Sequence, residues 1–126
     1  MIEMCELKVA QKEWAKWKYY VMARSQASYV DLRQLFSGNQ WSQEKEAHFK
    51  QQIAAVKKLP VNVKARRNAY EHVWGYFKKM VTHQERATFL RLVQAMTETQ
   101  DEALPYLKQL AEKYQIAYIL DSYFFD

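Results

Sequence analysis

The chain has 126 residues, of which 49% are apolar and 26% charged, with two glycines, two prolines, one cysteine and a net charge of +5. These figures suit one globular domain over residues 1–126, and the shortage of turn residues disfavours sheets and predicts an all-α fold. A single cysteine excludes an internal disulfide and a cysteine-based zinc or iron–sulfur site, so we expect no cofactor and no metal. The charged start of the chain and the lack of a long apolar run predict no signal peptide, no membrane span and a cytoplasmic location.

A long first helix is predicted over residues 7–36, with Gly38 as its C-terminal cap. Apolar residues at helical spacing, Trp14, Trp17 and Val21 among them, form its inward stripe. The middle of this helix is polar and includes Arg24, Ser25, Gln26 and Ser28. Either the small serines let another helix approach closely, or these residues form a functional polar patch in a groove between helices.

Four or five further helices follow, and local signals mark where most of them begin. Ser42 caps a helix over residues 43–58, which Pro60 ends, and Asn62 caps a third helix over residues 63–81. Thr82 and Glu85 form a capping box that begins a fourth helix, whose predicted inward residues are Phe89, Leu90, Val93 and Met96. Pro105 suits the first turn of a fifth helix, and residues 117–125 suit a short last one. The prediction is a single-domain bundle of five to six helices with a long N-terminal helix.

The positive charge is concentrated in the first three quarters of the chain. Residues 1–96 carry a net charge of +9, whereas residues 97–126 carry −4. Residues 47–70 contain six basic residues and no acidic one: Lys50, Lys57, Lys58, Lys64, Arg66 and Arg67. Such a field favours a polyanionic partner, which could be a nucleic acid, an acidic protein or an anionic membrane surface. The alternative is a solvated basic face with no ligand.

The third helix combines three kinds of surface. At 100° per residue its core face consists of Arg66, Ala69, Tyr70, Val73, Phe77 and Met80. A polar shoulder beside it consists of Asn68, His72, Tyr76 and Lys79, and the solvent face holds Lys64, Arg67 and Lys78. Gly75 lies opposite the core, where it would leave room for a backbone, a phosphate or a base. The shoulder either contacts a ligand or packs under the neighbouring helix.

Three stretches of the chain carry a resemblance to a known family. The central one is Asn68-x-x-x-His72-x-x-Gly75-Tyr76-Phe77-Lys78-Lys79, followed by Glu85. The flanking ones are "WKYYVMARSQASYVDL" at residues 17–32 and "LPYLKQLAEKYQIAYILDSYF" at residues 104–124. Together they resemble the YbgA-like family of domains of unknown function, over residues 14–124. The chain departs from the family by carrying Arg24 and Lys113 where it usually has histidine, Asp121 or Ser122 where it has glutamine, and no Pro-Tyr-Pro ending.

The resemblance implies an RNA-related role. YbgA-like domains occur alone or fused to a cysteine-rich desulfurase that acts on thiolated uracil or uridine, and in the fused proteins this domain is thought to bind tRNA. We therefore expect a non-catalytic RNA-binding module, with tRNA as its ligand and a separate desulfurase-type enzyme as a possible partner protein. The expected phosphate contacts are Arg24, Lys64, Arg66, Arg67, Lys78 and Lys79. The expected nucleotide contacts are Asn68, His72 and Tyr76.

Two other functions stay open on the sequence. One is a small-molecule site or enzyme with a polar pocket between the first and third helices, formed by Ser25, Asn68, Glu71 and His72. The three histidines lack metal-ligand spacing, and Cys5 lies too near a terminus to be expected as a nucleophile. The other is a protein–protein adaptor that uses the exposed aromatic residues and the acidic tail. The sequence does not specify the oligomeric state.

Overall fold

The computed structural model describes the backbone of residues 2–126 and the side chains of residues 6–126, so the side chain of Cys5 lies outside the described residues. This part of the chain forms seven α-helices and one 3₁₀ turn, with no strand. The helices are α1 Ile2–Met22, α2 Gln26–Leu35, α3 Gln43–Lys57, α4 Val63–Trp74, α5 His83–Gln94, α6 Ala103–Lys113 and α7 Ala117–Leu120, and the 3₁₀ turn is Tyr123–Phe125. The all-α single-domain prediction is confirmed, with one or two more helices than predicted. No helix within residues 2–126 is long and apolar enough to cross a membrane.

The predicted first helix is in fact two helices. The chain breaks between Met22 and Gln26, because Ser25 adopts an extended backbone with φ −158° and ψ 113°. The Ser25 Oγ accepts a hydrogen bond from the Ser28 amide at 3.1 Å and so caps α2. Serine competes well for nearby amides, which makes it a good cap and a poor interior residue. The single helix over residues 7–36 was therefore a wrong prediction, and the polar middle of that segment is a corner.

The third helix also ends earlier than predicted, at Trp74 rather than at residue 81. From there the chain continues in tighter turns, in which the Gly75 amide donates to the His72 carbonyl at 3.1 Å. A Cβ atom on Gly75 would lie 3.1 Å from that same carbonyl oxygen, so glycine suits the tightened turn. Met80, predicted on the core face, is 44% exposed because the helical phase is lost before it.

The other predicted starts are confirmed. Ser42, Asn62 and Thr82 each accept a hydrogen bond from an amide three residues on, and Thr82 with Glu85 completes the capping box. The prediction that Leu90 of α5 lies in the core is wrong, since its side chain is 52% exposed. Only Phe89 and Val93 of that helix are buried, which makes its apolar stripe narrower than the sequence pattern.

Helix α1 contributes to two hydrophobic clusters, one on either side. The larger cluster joins α1 to α4, α5, α6 and the C-terminal segment, with Tyr70, Phe77, Phe89 and Leu107 almost fully buried. The smaller joins α1 to α2 and α3, with Leu32 and Val56 fully buried. Tyr19 and Met22 belong to the larger cluster, whereas Tyr20 and Val21 belong to the smaller. The N-terminal helix is thus the central element of the fold.

Asp101 joins α4 to the start of α6. Its Oδ1 accepts hydrogen bonds from the amides of Ala103 and Leu104 at 2.9 and 3.1 Å, which caps α6. Its Oδ2 accepts from the Tyr70 hydroxyl and from Arg66 Nη1 at 3.2 Å. Burial, and then the hydrogen bond to Asp101, raises the pKa of Tyr70, so this hydroxyl stays protonated and donates.

Glu85 joins the start of α5 to the end of α6. Its carboxylate accepts from the Thr82 amide at 2.9 Å, from Lys113 Nζ at 2.7 Å and from the Tyr114 hydroxyl. The hydrogen bond from Lys113, followed by those from Tyr114 and Thr82, lowers the pKa of Glu85 to about 2 from an ordinary value of 4.5.

We predict that Asp101→Ala destabilises the fold by about 3 kcal/mol, because it uncaps α6 and leaves Arg66 and Tyr70 without their shared partner. Urea denaturation followed by circular dichroism measures this. Glu102→Ala is the control, since Glu102 is exposed and makes no side-chain cap. Equal losses of unfolding free energy in the two variants would contradict the role of Asp101.

We predict that the stabilisation from Glu85 is lost on acidification. The pKa of Glu85 is lower in the folded than in the unfolded state, so its contribution is complete above pH 4.5 and falls as the pH approaches 2. Glu85→Gln should therefore be less stable than the wild type at pH 6 and close to it at pH 2.5. Urea denaturation midpoints of the two proteins, measured across this pH range, test the prediction. A difference in midpoint that stays constant with pH would show that Glu85 is not the titrating group.

Candidate nucleic-acid interface

A polar groove lies at the corner between α1 and α2. It consists of two adjoining clefts of about 590 and 450 Å³, which share Gln26 and Asn62 in their walls. Its walls include the corner residues 24–27, the connection from α3 to α4 at residues 59–62, and the first two turns of α4. We call this the corner groove; its polar lining is Arg24, Ser25, Gln26, Asn62, Lys64, Asn68 and one acidic residue, Glu98.

Arg24 is the half-buried cation of the corner groove. Its guanidinium lies over the Tyr20 ring, 3.3 Å from the centroid, and Nη1 donates to the Tyr20 carbonyl at 3.0 Å. Burial lowers the pKa of Arg24, and Arg66 acts in the same direction, but an arginine stays charged at neutral pH. One of its five N–H donors goes to Tyr20, so the others are available to a ligand in the groove.

Two of the sequence stretches that carry the family resemblance meet in this groove. The Asn68 side-chain amide donates to Gln26 Oε1 at 3.1 Å, which links α4 to the first turn of α2. Asn62 uses its Oδ1 to cap α4 at the Ala65 amide, and its side-chain nitrogen remains a donor for a ligand. The groove thus gathers amide donors and acceptors around Arg24 and Lys64, the chemistry that recognises phosphates and base edges.

The other two predicted arginines hold the fold together. Arg66 pairs with Asp101, and both side chains are largely buried, at 23% and 10% exposure. Arg67 is exposed, as predicted, and its guanidinium also donates hydrogen bonds to the carbonyls of Val93, Gln94 and Met96, at and just beyond the end of α5, at 3.2 to 3.4 Å. It therefore caps α5, because the last carbonyls of a helix have no partner within the helix.

A second group of predicted residues lies at the far end of α4. Tyr76, 37% exposed, stacks on Tyr118 with 5.7 Å between ring centroids, and its hydroxyl lies 3.1 Å from that of Tyr19. Burial, and then the hydrogen bond with Tyr76, raises the pKa of Tyr19. Lys78 and Lys79 are exposed in the turns that follow α4. Because the helix ends at Trp74, Tyr76 does not extend the predicted shoulder.

His72 is exposed in the last turn of α4 and does not line the corner groove. The predicted pocket of Ser25, Asn68, Glu71 and His72 is thus assembled only in part, from its first two members. Within residues 6–126 no three His, Cys, Asp or Glu side chains are placed to hold a metal ion.

Sequence reasoning missed several members of these surfaces. Gln26 was considered only as part of a possible polar patch on the first helix and Asn62 only as a helix cap, because the groove that they share depends on contacts between distant segments. Tyr118 stacks on Tyr76 from the C-terminal segment, and nothing in its local sequence marks it out.

Most Lys and Arg side chains form no ion pair with the acids of residues 6–126. All nineteen Lys and Arg residues lie within residues 6–126, and three of them form ion pairs there, namely Lys50, Arg66 and Lys113. The positive charge of the chain is therefore largely uncompensated at short range, which strengthens the field that a polyanion meets.

One family model matches the part of the chain that forms all of these surfaces. The family model described as "Protein of unknown function (DUF1722)" matches residues 18–126. The chain belongs to this family. The DUF1722 match begins within α1 and includes the corner groove, the Tyr76–Tyr118 stack and both carboxylate junctions. No match was found among curated proteins or among solved structures.

We predict that Arg67→Ala lowers the free energy of unfolding by about 1 kcal/mol, because it removes the bonds to the α5 carbonyls. Lys64→Ala, at an exposed position on the same helix, should change stability by less than about 0.5 kcal/mol. Chemical denaturation compares the two variants of this DUF1722 domain. A loss for Lys64→Ala as large as that for Arg67→Ala would contradict the division between structural arginine and free lysine.

Proposed function

We propose that this protein binds RNA at the corner groove, as a non-catalytic module. The observation that carries the proposal is the grouping of Arg24 and Lys64 with the side-chain amides of Gln26, Asn62 and Asn68. The cations would neutralise phosphates and release counterions, which supplies most of the affinity for a nucleic acid. The amides would hydrogen-bond base edges or the ribose hydroxyl, which distinguishes RNA from DNA.

The resemblance to YbgA-like domains supports tRNA as the RNA and a desulfurase-type enzyme as the partner that performs the chemistry. It also supports a cytoplasmic location, which suits a chain whose one cysteine allows no internal disulfide. Under this proposal the domain supplies binding and leaves thiouridine processing to that separate enzyme.

The predicted contacts divide into direct and indirect ones. Lys64 and Asn68 line the corner groove with Arg24, whereas Arg66 and Arg67 act indirectly by fixing the position of α4. Lys78, Lys79 and Tyr76, at the other end of α4, would contact a second part of a large RNA such as tRNA, with the exposed tyrosine available for stacking. His72 would lie between these two regions, one turn beyond Asn68 on α4.

A second candidate function is binding of a small anionic metabolite in the same groove. The cleft of about 590 Å³ beside Arg24 is within the size range of small-molecule sites, and its walls combine apolar Leu59, Pro60 and Val61 with polar groups. A metabolite would need Arg24 but would show little dependence on Lys78 and Lys79, which are remote from the groove.

Fluorescence anisotropy of labelled bulk tRNA, titrated at several salt concentrations, tests RNA binding. We expect the combined Arg24→Gln and Lys64→Ala variant to bind more weakly and to reduce the salt slope by about 2, one for each lost phosphate contact. Lys108→Ala is the control, because Lys108 is exposed on α6 outside the groove. Heparin and double-stranded DNA serve as competitors.

The proposal fails if the wild type binds tRNA no better than it binds heparin or DNA, since the basic surface would then be non-selective. An unchanged salt slope in the double variant, with tRNA binding intact, would place the RNA elsewhere on the protein. A metabolite that copurifies with the wild type and is lost in the Arg24→Gln variant would favour the second candidate.

A further inference from the structure

A second groove runs between α1 and α3 and differs in character from the corner groove. It has a volume of about 540 Å³ and an apolar floor of Trp17, Phe49 and Ile53. Three lysines also line it: Lys50 and Lys57 of α3, and Lys58, which follows the last residue of that helix. We call it the aromatic groove; a large aromatic surface surrounded by ammonium groups fits a ligand that is both planar and anionic.

The Trp17 ring is held in place by aromatic neighbours. Its centroid lies 4.2 Å from that of Tyr123 and 5.0 Å from that of Tyr20. The Lys57 ammonium lies over the ring, 4.9 Å from the centroid. A flexible lysine can leave this position, so an aromatic ligand could replace the ammonium over the indole while the lysine turns to its phosphate.

The lining holds two acids, Glu13 and Glu46, against three lysines, so the groove carries a net charge of +1. The Glu46 carboxylate accepts from Trp41 Nε1 at 2.9 Å and lies 3.7 Å from Lys50 Nζ. Glu13 accepts a hydrogen bond from the Tyr123 hydroxyl at 3.4 Å. Lys57 and Lys58 form no ion pair within residues 6–126, so the end of the groove at the last turn of α3 is the positive one.

The positive end of the aromatic groove adjoins the corner groove. Lys57 and Lys58 end α3, and the next residue, Leu59, already belongs to the wall of the corner groove. A chain of phosphates that follows residues 57–64 would therefore pass from one groove to the other. This continuity links the aromatic groove to the same ligand as the corner groove.

We propose that the aromatic groove binds one unstacked nucleobase of a single-stranded RNA segment, stacked on Trp17, with adjacent phosphates on Lys57 and Lys58. This rests on the proposed function and adds to it the class of RNA: a loop, bulge or end rather than a duplex. Stacking on an aromatic side chain requires a base that has left its helix, which a paired A-form RNA does not offer.

The test uses two exposed alanines that are neighbours on α3. Ala54 lines the aromatic groove and Ala55 does not. Ala54→Glu and Ala55→Glu change the net charge equally and remove no buried side chain, so a difference between them reports on the groove. The probes are a labelled ten-nucleotide oligouridylate and the same strand paired with oligoadenylate, followed by anisotropy, with bulk tRNA measured alongside.

We expect the single strand to bind in preference to the duplex. We also expect Ala54→Glu to bind the single strand about tenfold more weakly than Ala55→Glu does, because one base stacked on an aromatic side chain contributes a free energy of that order. Single-stranded RNA should also quench tryptophan emission in the wild type, and Trp17→Leu should abolish this quenching while its circular dichroism stays helical.

Equal affinities of the two glutamate variants, or equal binding of the duplex, would overturn the aromatic-groove proposal while tRNA binding by the wild type keeps the proposed function standing. If an acidic protein segment were the true occupant, the two glutamate variants would bind the single strand equally, which is the same overturning result. Absence of tRNA binding by the wild type would remove both proposals together.

Discussion

One carboxylate ties α4 to the start of α6. Asp101 caps α6 with one oxygen and holds Arg66 and Tyr70 of α4 with the other. Both grooves border the α3–α4 connection, so their shape follows from where α4 begins. Hydrogen bonds to a buried carboxylate are directional, whereas apolar packing is not. Asp101 therefore constrains the rotation of α4 about its axis as well as its distance from α6.

The arginines and lysines of the basic region perform different tasks. Arg24, Arg66 and Arg67 all use their guanidinium groups on carbonyls, an aromatic ring or a carboxylate of the protein itself. The planar guanidinium is suited to several fixed partners at once, whereas a lysine ammonium keeps its hydration and remains mobile. The surface charge available to a ligand is therefore mainly lysine, with Arg24 as the exception because most of its donors are free.

Local signals in the sequence predicted helix starts well and helix ends poorly. Ser42, Asn62 and the Thr82–Glu85 box act on amides three residues away, so the sequence itself contains both partners. Ser25 is a cap of the same kind, but the apolar stripe on both sides of it suggested continuity. The end of α4 at Trp74 is marked only by Gly75, whose role in a tightened turn depends on backbone geometry.

The candidate site was predictable in its residue types and unpredictable in its pairings. Lys64 and Asn68 were expected contacts and line the corner groove. Asn68 meets Gln26 across 42 residues, and Arg67 meets the end of α5 across 26 to 29, so neither partner could be read from local sequence. Such contacts are set by the packing of whole helices, which a one-dimensional pattern does not contain.

The two-sided burial of α1 has a consequence for how the domain unfolds. Consecutive residues of this helix enter different hydrophobic clusters, Tyr19 and Met22 one, Tyr20 and Val21 the other. A slip or rotation of α1 would expose apolar surface in both clusters at once, so neither can loosen while the other stays intact. The domain is thus built to melt as one cooperative unit, and the two grooves, which both have walls formed by the segment 13–27, would be lost together.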